Sequence, residues 1–497
     1  MRASHVFLQP MMSVLSALVL VLAGCSGDRH ITTSSPQALE SYKKGVELWE
    51  KFYYAEASAA FDEALHLDSS FAMAWTRRAF LSDATRNRER ALTDIAHAVS
   101  LLPYVTPFEQ RFIRLQEYRL RNAERQAIGL ADSMIAFYPN DAELYLIRGN
   151  LYESGKSIEE AIQSYRRATE VDTGFALAVM SLGYAYSTAG NQENAIEQME
   201  RYIRLAPDAA DPRASFADIL LRVGRYEEAL AQYTESLGLK PDYWYSMNQI
   251  GTIYMIRGRL KEAEEQFHKG LLHLPESRQL TASHLALDAN LNILRGAYAE
   301  ALEQTRRALE MDPENLDAAS GKVTALRKLH EYSQSRKALE DFRGGLEKLN
   351  LHHSRSMLGY YLLAARLLLD EGDALGAKAA CDSALEYTTV LARGPVFRQL
   401  AEIHLRESAF EDALDACEEA LRVNPNNPDA LLTLVKVYAA QGDRSMARAI
   451  GGRLLDFWKD ADADFESLRE LRTLLNLKAG KNLSGGFQKA PLTNPAT

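Results

Sequence analysis

The residues able to do chemistry are few and scattered along 497 residues. No His-Glu-x-x-His, Gly-x-Ser-x-Gly, Walker-type or Gly-x-Gly-x-x-Gly run occurs. The spacings that hold zinc, raise a serine nucleophile or cradle phosphates are therefore missing. His352 and His353 are adjacent, but neighbours in sequence do not share a helix face, and no Cys or carboxylate stands at ligand spacing. They read as exposed loop histidines, and neither a catalytic residue nor a metal or cofactor is expected. Three cysteines, Cys25, Cys381 and Cys417, are too few for a disulfide framework. Cys25 stands apart because it follows the small residues Ala23-Gly24 at the end of an apolar run, residues 13–23, preceded by Arg2. That run has the length of a signal-peptide core and is short for a permanent membrane span.

The other candidates can only be placed by asking which elements carry them. Self-similarity at 34 residues extends from about residue 38 to 461. Twelve units start at Ala38, Ala72, Phe108, Ala142, Ala176, Ala210, Trp244, Ala282, Leu316, Leu358, Gly394 and Pro428, with register slips before Phe108, Ala282, Leu358 and Gly394. Position 20 is Ala in eleven of the twelve units and Ser335 in the other. Position 8 is Gly or Ala in nine units, and position 32 is Pro in seven. Small residues let two helix backbones approach, and bulky ones such as Tyr165, Tyr233 and Phe267 fill the space beside the crossing. Proline ends the second helix because it has no N–H to continue the ladder. Glycines such as Gly155, Gly190, Gly224 and Gly258 sit where the two helices must turn. Leu468, Leu471 and Leu475 recur at helical spacing within residues 462–480, which reads as a capping helix, and residues 481–497 read as a disordered tail.

Leu182-Gly183 with Tyr186, Ala195 and Pro207, and Ile250-Gly251 with Tyr254, Ala263, Phe267 and Pro275, resemble the tetratricopeptide repeat signature. The resemblance covers about four-fifths of the chain. It implies an all-α fold, a right-handed α-solenoid of about twelve helix pairs over residues 38–461, each pair touching mainly its neighbours. The unit at Leu316 is weak, and so is that at Pro428, where Gly451 replaces a bulky residue.

Leu22-Ala23-Gly24-Cys25 resembles the lipobox of bacterial lipoproteins. That resemblance implies removal of residues 1–24 and lipid attachment at Cys25. Ser26, rather than Asp, implies the outer membrane, facing the periplasm. Residues 25–37 read as the lipidated Cys and a flexible polar tether.

The net charge of −10 is mild for this length, and no basic run interleaved with aromatics suggests a nucleic-acid partner. The expected function is a scaffold that binds proteins, with an envelope assembly as the analogous setting. Alternatives are a groove-type module for a small ligand or peptidoglycan fragment, and a structural subunit of one obligate complex. In repeats of this kind, positions 2, 5, 9 and 12 line the concave face. There they give Glu109, Glu143, Asn150, Glu153, Tyr184, Asp211, Asp218, Tyr245 and Asn248 as the candidate partner groove, a stretch that leans acidic and suits a basic or polar extended segment. Later units give Arg327, Arg366, Arg398 and Lys436 against Asp317, Glu402 and Asp429. The Lys, Asn and Arg set by which some relatives grip a carboxyl terminus is not in place. Cys381 and Cys417 share position 24 of successive units. Equivalent helices lie about 10 Å apart, beyond the roughly 7 Å a disulfide tolerates, so two separate buried thiols are expected.

Overall fold

The structure, a computed structural model, describes residues 31–85, 87–155, 157–272, 278–349, 351, 356–388 and 393–477. The segment expected to be a signal peptide, Cys25, His352, His353, Pro275 and the tail from 481 lie outside the described residues. Two compact units divide the chain, residues 1–134 and 135–497.

Unit one holds α1 (Pro36–Glu50), α2 (Tyr54–Leu67), α3 (Ala72–Ala84), α4 (Arg88–Ser100), α5 (Pro107–Leu120) and most of α6 (Glu124–Phe137). Unit two continues with α7 (Ala142–Ser154), α8 (Ile158–Val171), α9 (Ala176–Thr188), α10 (Gln192–Leu205), α11 (Asp211–Arg222) and α12 (Tyr226–Leu239). Next come α13 (Trp244–Ile256), α14 (Leu260–Leu271), α15 (Arg278–Arg295), α16 (Tyr298–Met311), α17 (Leu316–Lys328) and α18 (Tyr332–Lys348). The series ends with α19 (Ser356–Asp370), α20 (Ala374–Leu385), α21 (Gly394–Arg406), α22 (Phe410–Leu421), α23 (Pro428–Gln441), α24 (Arg444–Phe457) and α25 (Glu466–Leu474). Among the described residues every regular element is helical, and the first twenty-four α-helices form twelve sequential pairs. Within each unit the pairs stack in order, an α-solenoid.

The crossing of each pair follows from two columns of the repeat. All twelve residues at position 20, Ala57 through Ala447, are buried. Ser335 fits among them because its hydroxyl donates to the Val323 carbonyl at 3.0 Å, leaving no unpaired polar atom. At position 8, a Cβ on Gly45, Gly149 or Gly251 would stand 2.6, 2.3 or 2.7 Å from the ring of Phe61, Tyr165 or Phe267. Those rings occupy position 24, so glycine is required where an aromatic side chain lies across the first helix. Where position 8 is Ala365 or Ala401, position 24 shrinks to Cys381 or Cys417, both free and buried as expected. In the last pair Val435 fills position 8, position 24 is Gly451, and Leu475 packs over the glycine. The apparent weakness of that unit is a reversal of the same size complementarity.

Helix lengths follow the punctuation. The unit at Leu316 lacks the closing proline, and its second helix, α18, runs for 17 residues where α16 has 14. The slip before Phe108 is a short 3-10 turn at Leu102–Tyr104, and the slip before Ala282 coincides with an 18-residue α15. Gly190, Gly224, Gly258, Gly296, Gly372 and Gly442 have the positive φ expected at the turn within a pair, but Gly155 does not, at φ −76°.

Two expectations need revision. The end of the supposed tether is held in place: Thr32 donates from N and Oγ1 to Glu109 at 2.8 and 2.6 Å, and Thr33 Oγ1 donates to Asp68 at 2.6 Å. Ser35 then N-caps α1. The second concerns α25, which does more than cover the last pair, because unit two folds back on itself. Trp458 Nε1 donates to the Ile256 carbonyl at 3.0 Å, and Asp462 N to that of Gly258 at 2.9 Å. Arg469 Nη2 donates to the Arg295 carbonyl at 2.8 Å, and Asn426 Nδ2 to that of Gly224 at 3.3 Å. The acceptors lie at or just past the ends of α11, α13 and α15, where helices leave carbonyls without internal partners. Apolar residues seal the contact: Phe267, Leu291, Trp458, Phe465, Leu468 and Leu471 share one buried cluster.

Candidate functional site

The first helices of unit two set their inner residues side by side, one unit to the next. Tyr184 on α9 donates to Asp218 on α11, 34 residues later, at 2.8 Å. Lys436 on α23 contacts Glu402 on α21, also 34 residues away, at 3.1 Å. Equivalent positions in consecutive units thus form a continuous face along the stack.

Much of the acidic groove expected there is not a charged surface. Asp218 is 8% exposed and accepts from Tyr184, Tyr233, Tyr245 (2.7 Å) and Gln249 Nε2 (3.3 Å). Asp211, equally buried, accepts from Tyr243 at 2.9 Å, Tyr202 at 3.0 Å and Ser215 at 3.1 Å. Burial pushes the Asp211 carboxyl up to about 6, although its three hydroxyl donors pull the other way. Burial and the adjacent carboxylates hold the phenols of Tyr184, Tyr233, Tyr243 and Tyr245 well above their ordinary value, so each remains a donor. Two carboxylates ringed by hydroxyls knit α9 to α13 together and present little charge to a partner.

Glu109 is also corrected. It lies in unit one, 2% exposed, as the third residue of α5, and closes a capping box with Thr106 while accepting from Thr32. The sequence carried the signal, Thr106-Pro107-Phe108-Glu109, a hydroxyl residue three before a glutamate. Asn150 and Glu153 both accept from the Tyr165 hydroxyl at 2.8 Å. Glu143 is half-buried in the first turn of α7. Asn248 Oδ1 is buried without a hydrogen-bond partner among the described residues.

The basic row of the later units is organised differently. Arg327 on α17 pairs with Asp370 at 2.5 Å, and Lys436 pairs with Glu402 at 3.1 Å and Glu470 of α25 at 3.0 Å. Burial would raise the Glu402 carboxyl, but Lys436, Arg398 and Thr433 outweigh it and hold it below the usual range. Between these pairs stand Arg366 on α19 and Arg398 on α21. Arg366 donates from Nε to Gln399 Oε1 at 3.3 Å, and no ion pair joins it to a described carboxylate. Burial, with Arg398 and Arg327 nearby, draws its pKa down to about 9, so the guanidinium stays charged at neutral pH at a cost. Among the described residues no group of three His, Cys, Asp or Glu is placed to hold a metal ion. No described helix is long and apolar enough to cross a membrane.

Helix pairs recurring at about 34 residues, crossing at a small-residue column and stacked in sequence, define a helical repeat protein. Over part of the array the repeats match family models described as tetratricopeptide repeat, at residues 142–174, 159–210 with 215–273, and 404–469. No curated protein matches the chain. Among solved structures, a tetratricopeptide repeat protein from Parabacteroides merdae is 17% identical, with TM-score 0.36, covering 53% of this chain and 98% of that one. PilW, titled a widely conserved type IV pilus biogenesis factor, is 16% identical with TM-score 0.37, over 43% of this chain and 97% of its own. YrrB, titled a TPR protein with an unusual peptide-binding site, is 21% identical with TM-score 0.28, over 39% and 97%.

Proposed function

We propose that this chain is a protein-binding scaffold, anchored by a lipid on Cys25 to the outer membrane, that holds an extended segment of a partner along the first-helix face of unit two. The periplasm-facing setting, in assembly of an envelope complex, belongs to the same reading. The observation that carries the scaffold is the contact between equivalent first-helix positions one unit apart, as between Tyr184 and Asp218. A face that repeats at this interval matches an extended chain, which presents its own groups at regular spacing. The anchor rests on the apolar run 13–23 followed by Ala23-Gly24-Cys25, and the outer-membrane address on Ser26. Acyl chains contribute about 0.8 kcal/mol per buried CH₂, and more than one chain is needed for stable attachment.

Two measurements test the two parts. Labelled palmitate is expected to enter the protein and to be lost in Cys25→Ala; labelling that persists in the variant removes the anchor. A photo-crosslinking residue at Gly359, exposed on α19 with open space around it, is expected to capture a protein partner in intact cells. The same probe at Lys337, exposed on the second helix α18, is expected to capture none. Equal capture at both positions removes the groove.

A further inference from the structure

We propose that Arg366 and Arg398 form a receptor for a carboxylate of the partner segment, so that the segment held by unit two is acidic. The inference rests on the scaffold reading, and it places the recognised charge at the later units, whereas the sequence pointed to a basic or polar segment along the middle ones. Its basis is an incomplete pattern of pairing. The inner face of α17, α19, α21 and α23 carries four cations: Arg327, Arg366, Arg398 and Lys436. The outer two already hold carboxylates, Asp370 on Arg327 and both Glu402 and Glu470 on Lys436. The inner two hold none within ion-pair reach among the described residues, and Arg398 has no hydrogen-bond partner there.

The other charges nearby do not fill the gap. Asp370 is engaged by Arg327 and Arg406, and Glu402 by Lys436 and Thr433. Asp429 and Glu402 act on Arg366 only through the field and favour its charged form, while burial and its two arginine neighbours oppose that form. The Nε of Arg327 is likewise buried and without an acceptor. Gln399, 3% exposed, fixes one edge of the Arg366 fork and leaves the Nη groups for an incoming acceptor. A guanidinium presents parallel N–H donors matched to the two oxygens of a carboxylate, and pairing is strongest where water is scarce. Carboxylates are also the groups this row already accepts from its own chain, the Glu470 contact from α25 included.

The test uses the full chain in detergent and fluorescence anisotropy of a labelled peptide of alternating Glu and Gly. Its Gln-Gly counterpart and inorganic phosphate serve as competitors. The acidic peptide is expected to bind, and Arg398→Gln to weaken it at least tenfold. Arg398→Gln breaks no hydrogen bond among the described residues, which keeps loss of fold separate from loss of site; Arg366→Gln should weaken binding further. Arg343→Gln, on the second helix α18, where the guanidinium pairs with Glu347 and lies over the Tyr360 ring at 6.0 Å, should leave the affinity unchanged. Binding that survives C-terminal amidation assigns the site to acidic side chains, and binding lost on amidation assigns it to a chain-terminal carboxylate. Equal affinity for the Gln-Gly peptide, stronger competition by phosphate than by the acidic peptide, or an unchanged affinity in Arg398→Gln overturns the proposal. If the Gly359 probe still captures its partner while any of these is observed, the scaffold stands and only the carboxylate receptor falls.

Discussion

At Asp211 burial outweighs three hydroxyl donors, and the consequence is a measurable pH dependence. Its folded carboxyl titrates near 6 against an ordinary value of 3.8. The raised value means the folded state holds the proton longer than the unfolded chain does. The contribution to stability is therefore complete below about 3.8 and is lost as pH rises through about 6. At 1.36 kcal/mol per unit the swing is about 3 kcal/mol. Asp211→Asn removes this titration, so its urea-unfolding free energy relative to the native chain should shift in its favour by that order between pH 4 and pH 7. A difference that stays constant with pH would show that Asp211 is solvated. The position-20 alanines and the buried thiols were legible in the sequence because packing within one pair depends on residues of one window. The role of Asp211 and Asp218 was not. Their partners Tyr202 and Tyr184 come from the preceding unit, and only stacking shows that a tyrosine rather than water faces each carboxylate.

Helix boundaries were readable for a comparable reason: proline, glycine and the alanine column act locally. The turn within each pair shows where that reading stops. Its fifteenth window position takes a positive φ not only at the six glycines but at Phe52, Asn122, His330 and Ser408. The geometry of the pair imposes the left-handed turn whatever residue is present. An L-residue there is disfavoured by about 1–2 kcal/mol, of which glycine's greater unfolded-state freedom returns about 0.4–1 kcal/mol. Ser408 is exposed, so its replacement costs no packing. Ser408→Gly should therefore stabilise unit two by roughly 0.5–1 kcal/mol, read as a higher urea midpoint at unchanged slope. A lower midpoint would mean that the serine is not strained.

At the scale of the whole chain, a repeat array in which each pair meets only its neighbours unfolds piecewise, its stability a sum of local terms. Unit two is not such an array. Asn424 reaches the Tyr226 hydroxyl at 3.0 Å across 198 residues, and Trp458 reaches the Ile256 carbonyl across 202. Glu466 accepts from Tyr298 at 2.5 Å and from Lys328 at 3.1 Å. No repeat column foretells this, because it depends on the rise and twist accumulated over several pairs. The closure couples the stability of α13 and α15 to that of the last pair. Trp458 is the place to test it: its side chain is 1% exposed, its ring packs edge-on against Phe465 at 5.3 Å, and its N–H satisfies the end of α13. Trp458→Ala should cost about 3–5 kcal/mol in unit two through the cavity it leaves, and should strand the Ile256 carbonyl. The distinguishing readout is hydrogen exchange. Amides of residues 253–263 and 293–297 should lose protection along with those of α24 and α25, while α7 and α8 keep theirs. If faster exchange is confined to residues 444–475, the two stretches are packed together without being energetically coupled, and unit two behaves as an open array after all.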